Sequence, residues 1–206
     1  MTLIFLVGPR ACGKTTVGRA LAQCLNLPFA DTDHYILEQT ESSVAQIVAA
    51  EGWPGFRQRE STALRTLASS YPQGAVIATG GGMVLDAQNR AFMRGQGHVF
   101  YLSAPVETLV PRLSNNPLAA QRPSLTGGGI ADEIQQVLEE RLPLYQQTAH
   151  WHLDASLPPH RVCAQAMDAL RTVPASTAEA AAGENAGADA RLADANSPGK
   201  HGPDND

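Results

Sequence analysis

Residues 7–16 read VGPRACGKTT. Gly8 to Thr15 match G-x-x-x-x-G-K-[ST], and the flanks fit it: LIFLV at 3–7 is an apolar, β-prone run, and TTVGRALAQCL at 15–25 is an amphipathic helical pattern with Val17, Leu21, Cys24 and Leu25 on one face. In a strand–loop–helix of this kind the glycines let backbone N–H groups turn inward around an anion. The helix N-terminus adds partial positive charge, the lysine reaches the β- and γ-phosphates, and the hydroxyl of Thr15 is placed to ligate Mg²⁺. Lys14 is the only lysine before Lys200. The stretch implies a nucleoside triphosphate with Mg²⁺ and leaves the fate of the phosphoryl group open.

Working outward, four more short apolar or aromatic runs alternate with helical segments: PFADT (28–32), AVIAT (75–79), HVFYL (98–102) and WHLDA (151–155). Apolar strands joined through helices predict an α/β fold with a parallel sheet covered on both faces, its ligands lying beyond the carboxyl ends of the strands. The segment SNNPLAAQRPSLTGGG (114–129) is rich in Asn, Pro and Gly and reads as a mobile loop of the lid type. From Pro174 to Asp206 the chain is Ala/Gly-rich and acidic, with too little apolar surface to offset its ordering entropy, and reads as a disordered tail.

The formal charge is −5, of which the tail carries −4, so the body is nearly neutral. That argues against non-specific binding to nucleic acid or anionic membranes. No apolar run approaches the roughly 20 residues of a spanning helix. The N-terminus lacks the charged start of a secretion signal, so a soluble, cytoplasmic protein is expected. Cys12, Cys24 and Cys163 have neither disulfide nor zinc spacing. His150 and His152 share a strand face without a nearby third ligand and read as structural.

Two charge anomalies suggest an acceptor site. In GIADEIQQVLEERLPLY, Ile130, Ile134, Val137, Leu138 and Tyr145 form an apolar stripe with Arg141 in its middle. In PGFRQRESTALRTL, Glu60 lies within the stripe of Phe56, Ala63, Leu64 and Leu67, with Arg57 three residues before it. An inward arginine is costly unless it meets an anion, and two such arginines could grip a carboxylate; an internal ion-pair network is the alternative. Asp31-Thr32-Asp33 is read as the end of the second strand, with both carboxylates on one side, toward Mg²⁺ and a substrate hydroxyl. Either Asp alone could instead cap a helix starting near His34. ATGGGMV (78–84) permits close backbone approach to a ligand, or a tight turn.

Together, GPRACGKT, DTD, FRQRE, TGGG, RPSLTG and LEERLPLY resemble the shikimate kinase family in order and approximate spacing over residues 1 to about 172. Within that family the form found in enteric bacteria beside a second isozyme is the most similar. The resemblance implies a three-layer P-loop kinase domain over 1–173 related to nucleoside-monophosphate kinases, with a five-stranded parallel sheet in the order 2-3-1-4-5 and a lid. It implies transfer of the γ-phosphoryl of ATP to the 3-hydroxyl of shikimate, in the route to chorismate and the aromatic amino acids, by a monomer using one Mg²⁺.

Carried over residue by residue, it assigns Cys12, Gly13, Lys14, Thr15 and Thr16 to the ATP phosphates, and Thr15 and Asp31 to Mg²⁺. Asp33 binds the shikimate hydroxyls and is the candidate base. Arg57, Gly81 and Arg141 complete the acceptor site, with Glu60 orienting Arg57. Arg122 of the lid meets the phosphates, and Arg112 and a residue of DASLPPH flank the adenine.

The chain also departs from the family pattern. Ala11 replaces a common glycine and is expected at negative φ; Pro111 threatens a kink beside Arg112, and Pro143 predicts a bend or end after Arg141. The acidic tail has no counterpart. The rivals are a gluconate-kinase-like enzyme or a nucleoside-monophosphate kinase of the same fold, and a non-catalytic ATP-binding protein.

Overall fold

The computed structural model describes residues 3–115 and 129–172. Its elements run β1 (Leu3–Val7), α1 (Lys14–Leu25), β2 (Phe29–Asp31), α2 (Thr32–Thr40), α3 (Val44–Ser70) and β3 (Val76–Ala78). After a 3₁₀ turn (Met83–Leu85) come α4 (Ala87–Gln96), β4 (Gly97–Ser103), α5 (Val106–Ser114), α6 (Ile130–Thr148), β5 (Trp151–Asp154) and α7 (Pro159–Arg171). The five strands form one sheet in the order β2-β3-β1-β4-β5, all neighbours parallel. The expected strand order holds.

Side chains of β1 alternate between two cores, as the pleat requires. Ile4 and Leu6 pack with Val17 and Leu21 of α1 and Val162 and Ala166 of α7. Leu3, Phe5 and Val7 pack with Leu64 and Leu67 of α3, Met93 of α4 and Tyr145 of α6. Helices therefore cover both faces, and β1, β3 and most of β4 are buried on two sides, while the edge strand β5 leaves His152 and Asp154 exposed. A third cluster, Ile36, Val44, Ile47, Phe56 and Ala63, joins α2 to α3. It gives the segment after β2 a small core of its own.

Several local expectations are corrected. The second strand ends at Asp31, which is the N-cap of α2, so Asp31 and Asp33 do not alternate along one strand. The Asp31 side chain accepts from the Asp33 and His34 N–H groups, and this capping starts the helix at Thr32 rather than near His34. Ala11 sits at φ 61, not at negative φ; a left-handed alanine costs about 1–2 kcal/mol, a strain held inside the loop. Pro111 lies within α5 and Pro143 within α6, and both helices continue past them, to Ser114 and Thr148. Ile130, placed on the buried stripe of α6, is 50% exposed in the helix's first turn. A break not foreseen interrupts α3 at Gly52 (φ 69), after which Pro54 falls in the first turn of the resumed helix, where its missing N–H costs nothing.

His150 Nδ1 accepts from the Val99 N–H at 3.0 Å, and the His152 ring lies edge-on to Tyr101. No described helix is long and apolar enough to cross a membrane.

Candidate active site

Because all five strands are parallel, the segments leaving their carboxyl ends gather on one edge. A cleft of about 990 Å³ opens there, lined by the glycine-rich loop (10–16) and by Asp31, Asp33, Gly81, Arg112 and Ala155 among others. Sequence-distant candidates thus meet on one surface.

The loop between β1 and α1 turns on two left-handed glycines, Gly8 (φ 149) and Gly13 (φ 96). A Cβ on Gly8 would lie 2.5 Å from the Leu102 carbonyl oxygen, so glycine is also required by the neighbouring strand. Lys14 Nζ donates to the carbonyls of Gly8 (2.9 Å) and Pro9 (2.7 Å) and lies 3.7 Å from Cys12 Sγ. The Cys12 side chain is buried in the core below the loop, so what Cys12 offers an anion is its backbone N–H. Thr15 Oγ1 donates to Asp31 Oδ2 at 2.7 Å, and Thr16 is exposed beside it.

The second half of the site is a wall built around Gly80, Gly81 and Gly82, all buried. A Cβ on Gly80 would come within 2.3 Å of Glu60 Oε1 and 2.8 Å of Asp33 Oδ1, and one on Gly82 within 2.0 Å of Arg57 Nη1. The run is therefore glycine because carboxylates and a guanidinium press against its backbone, not only because the chain turns there. Glu60 is 2% exposed and accepts from Arg57 Nη1, as the spacing predicted. The Arg57 guanidinium also lies 5.2 Å from the Trp53 ring centroid and 5.6 Å from that of Phe56, which fixes its plane.

From α6, Arg141, 7% exposed, donates through Nη1 to the Gly81 carbonyl at 3.2 Å. Its Nε has no hydrogen-bond partner. A buried guanidinium with an idle N–H is expensive, and an anion beside it would remove the cost. Tyr145, one turn on, also donates to the Gly81 carbonyl, at 2.6 Å, and its ring stacks on Tyr101. Burial pushes the Tyr101 hydroxyl up to about 12 and raises that of Tyr145 further, so both stay protonated.

At the other end of the cleft Arg112 Nη1 donates to the Ala155 carbonyl at 2.9 Å, which joins α5 to the loop after β5 despite Pro111. Arg122 and nearly all of the expected lid lie outside the described residues, as does the expected tail. Sequence reasoning passed over Trp53 and Thr32. Trp53 had no signal apart from its nearness to Arg57; Thr32, whose Oγ1 accepts from the Gly80 N–H at 3.0 Å, was hidden between two acids.

Residues 10–171 match the family model described as shikimate kinase. The chain is 55% identical over 168 residues to shikimate kinase 2 of Syntrophotalea carbinolica, an alignment covering 82% of this chain and 96% of that protein. It is 53% identical over 168 residues to shikimate kinase 2 of Dickeya chrysanthemi, covering 82% and 95%. Among solved structures, shikimate kinase from Acinetobacter baumannii in complex with shikimate superposes with a TM-score of 0.74 at 38% identity, over 82% of this chain and 92% of that one. The family model spans most of the chain, its relatives are more than half identical to it, and the sheet has the order 2-3-1-4-5; this chain belongs to the shikimate kinase family.

Proposed function

We propose that the protein transfers the γ-phosphoryl group of ATP to the 3-hydroxyl of shikimate. The observation that carries this reading is Arg141: a buried guanidinium with an unpartnered Nε, across the glycine run from the Arg57–Glu60 pair. Two arginines against one glycine run, Arg57 at Gly82 and Arg141 at Gly81, suit a carboxylate on a small polyol, and Asp33 beside Gly80 suits its hydroxyls. Gluconate also carries a carboxylate; the identity to shikimate kinases over most of the chain favours shikimate.

In this reading Lys14 exchanges the carbonyls of Gly8 and Pro9 for phosphate oxygens, and the N–H groups of residues 12–16 hold the rest of the triphosphate. Asp33 orients the attacking hydroxyl and receives its proton, late, because a loose phosphoryl-transfer transition state demands mainly alignment and charge neutralisation. Arg112 and the loop after β5 border the adenine. The Thr15 hydroxyl and the Asp31 carboxylate, 2.7 Å apart, are hard oxygen donors, and Mg²⁺ binds through one or two such groups plus phosphates and water, so the pair fits that ion. When bound, Mg²⁺ would neutralise charge on the β- and γ-phosphates.

The test is ADP release from Mg-ATP with shikimate, gluconate, AMP or no acceptor. Release that depends on shikimate is expected. Release equal in all four would overturn the reading. The family resemblance gives Arg122 to the phosphates, and Arg122→Ala is expected to keep shikimate binding and lose turnover.

A further inference from the structure

The glycine run poses a mechanical problem. Gly80 and Gly82 must lack a Cβ because Glu60, Asp33 and Arg57 occupy that space, yet consecutive glycines form the least restrained backbone a chain has. An acceptor site hung on such a segment would be loose unless something else held it. Two buried hydroxyls, on two different helices, do so. Thr32 Oγ1, fully buried at the start of α2, accepts the Gly80 N–H at 3.0 Å. The Tyr145 hydroxyl, on α6, donates to the Gly81 carbonyl at 2.6 Å, beside the 3.2 Å bond from Arg141.

Tyr145 is itself immobilised. It is 1% exposed and stacks on Tyr101 with centroids 5.0 Å apart and planes 11° from parallel. Burial keeps its hydroxyl protonated and hence a permanent donor. The segment it grips also approaches the phosphate loop: a Cβ on Gly81 would lie 3.4 Å from the Gly8 oxygen and 3.6 Å from the Arg10 nitrogen. Any drift of Gly81 would therefore move Arg141 and change the gap between the two half-sites.

We propose that Thr32 and Tyr145 are positioning residues for the acceptor, acting as a two-point clamp on Gly80–Gly81 that sets the Arg141 guanidinium and the separation of acceptor wall and phosphate loop. The clamp deepens the kinase reading and rests on it.

Tyr145→Phe keeps the stacked ring and removes one hydrogen bond, and Thr32→Val leaves the Gly80 N–H without its partner. Each is expected to raise the KM for shikimate about tenfold, the order set by one buried hydrogen bond, while the KM for ATP stays within about twofold. Thr32→Ser, which restores the acceptor oxygen, returns shikimate KM to near the wild-type value. Shikimate KM unchanged in Tyr145→Phe, shikimate and ATP KM rising together, or failure of Thr32→Ser to restore it would each overturn the clamp. If Thr32→Val does not fold, Tyr145→Phe and Thr32→Ser decide alone. Wild-type turnover of shikimate is measured alongside, so that loss of the kinase reading is distinguished from loss of the clamp.

Discussion

The two proposed half-sites are built on different principles. The phosphate half is one contiguous segment, Gly8 to Thr16, whose donors are backbone N–H groups and a single lysine. The proposed acceptor half draws on four separate places: Asp33 in α2, Arg57 and Glu60 in α3, Gly80–Gly82 after β3, and Arg141 in α6. Triphosphate recognition needs a dense anion cradle, which one turn of backbone supplies. A small carboxylated polyol needs planar forks and hydroxyl partners from several directions, which only tertiary packing brings together. Lysine suits the first as a compact mobile charge, and arginine suits the second as a fixed fork.

The strongest test of this division is a pair of opposite variants. Lys14→Met is expected to lower kcat about 10³-fold or more while shikimate binding, followed by tryptophan fluorescence, stays near wild type. Arg141→Met is expected to weaken shikimate binding by roughly 10²–10³-fold and to leave ADP affinity intact, since truncating one partner of a buried charge pair costs several kcal/mol. Equal loss of both ligands in either variant would show that the halves are not separable.

Glu60→Gln comes next. It leaves Arg57 stacked on aromatics but unneutralised, and is expected to raise shikimate KM about tenfold and lower unfolding stability by about 1–2 kcal/mol in urea titration. ADP binding should not change.

Ala11→Gly probes the phosphate half alone. Relief of the left-handed alanine at φ 61, offset by the greater freedom of glycine in the unfolded chain, should gain about 0.5–1 kcal/mol.

The smallest effect lies at the opposite, amino end of the strands. His98 and His150 are both held below the ordinary imidazole value of 6.5, chiefly by burial, with Arg94 and His98 adding to the effect at His150. The unfolded chain therefore takes up protons first, so the contribution to stability is complete above about pH 6.5 and is lost as pH falls through the folded values. A lower urea midpoint at pH 5.5 than at pH 7.5 is expected, and His98→Phe with His150→Asn should narrow the difference.

The same contrast explains what could be read in the chain. β1 was placed to the residue and the other strands to within one or two, because each is a short apolar run between turn signals. The phosphate loop was legible as a pattern. Arg141 and Glu60 were legible only as charges on apolar stripes, a signal that they face inward but not what they face. The end of β2 was misread because Asp31 bonds forward to Asp33 and His34 N–H groups, a capping choice that strand alternation does not encode. Ile130 has the right helical phase, yet exposure depends on what lies opposite a helix's first turn.

By itself, then, the sequence determined the parallel sheet, the anion loop and the charges that would be costly to bury. These follow from local periodicity and from residue chemistry carried on neighbouring positions. Only the tertiary structure decided that Glu60, Asp33 and Arg57 press on one glycine run, that Arg141 keeps an idle Nε there, and that Thr32 and Tyr145 hold the run in place. Those relations join residues as many as 113 positions apart, Thr32 and Tyr145, and close packing around a shared backbone sets them rather than spacing along the chain.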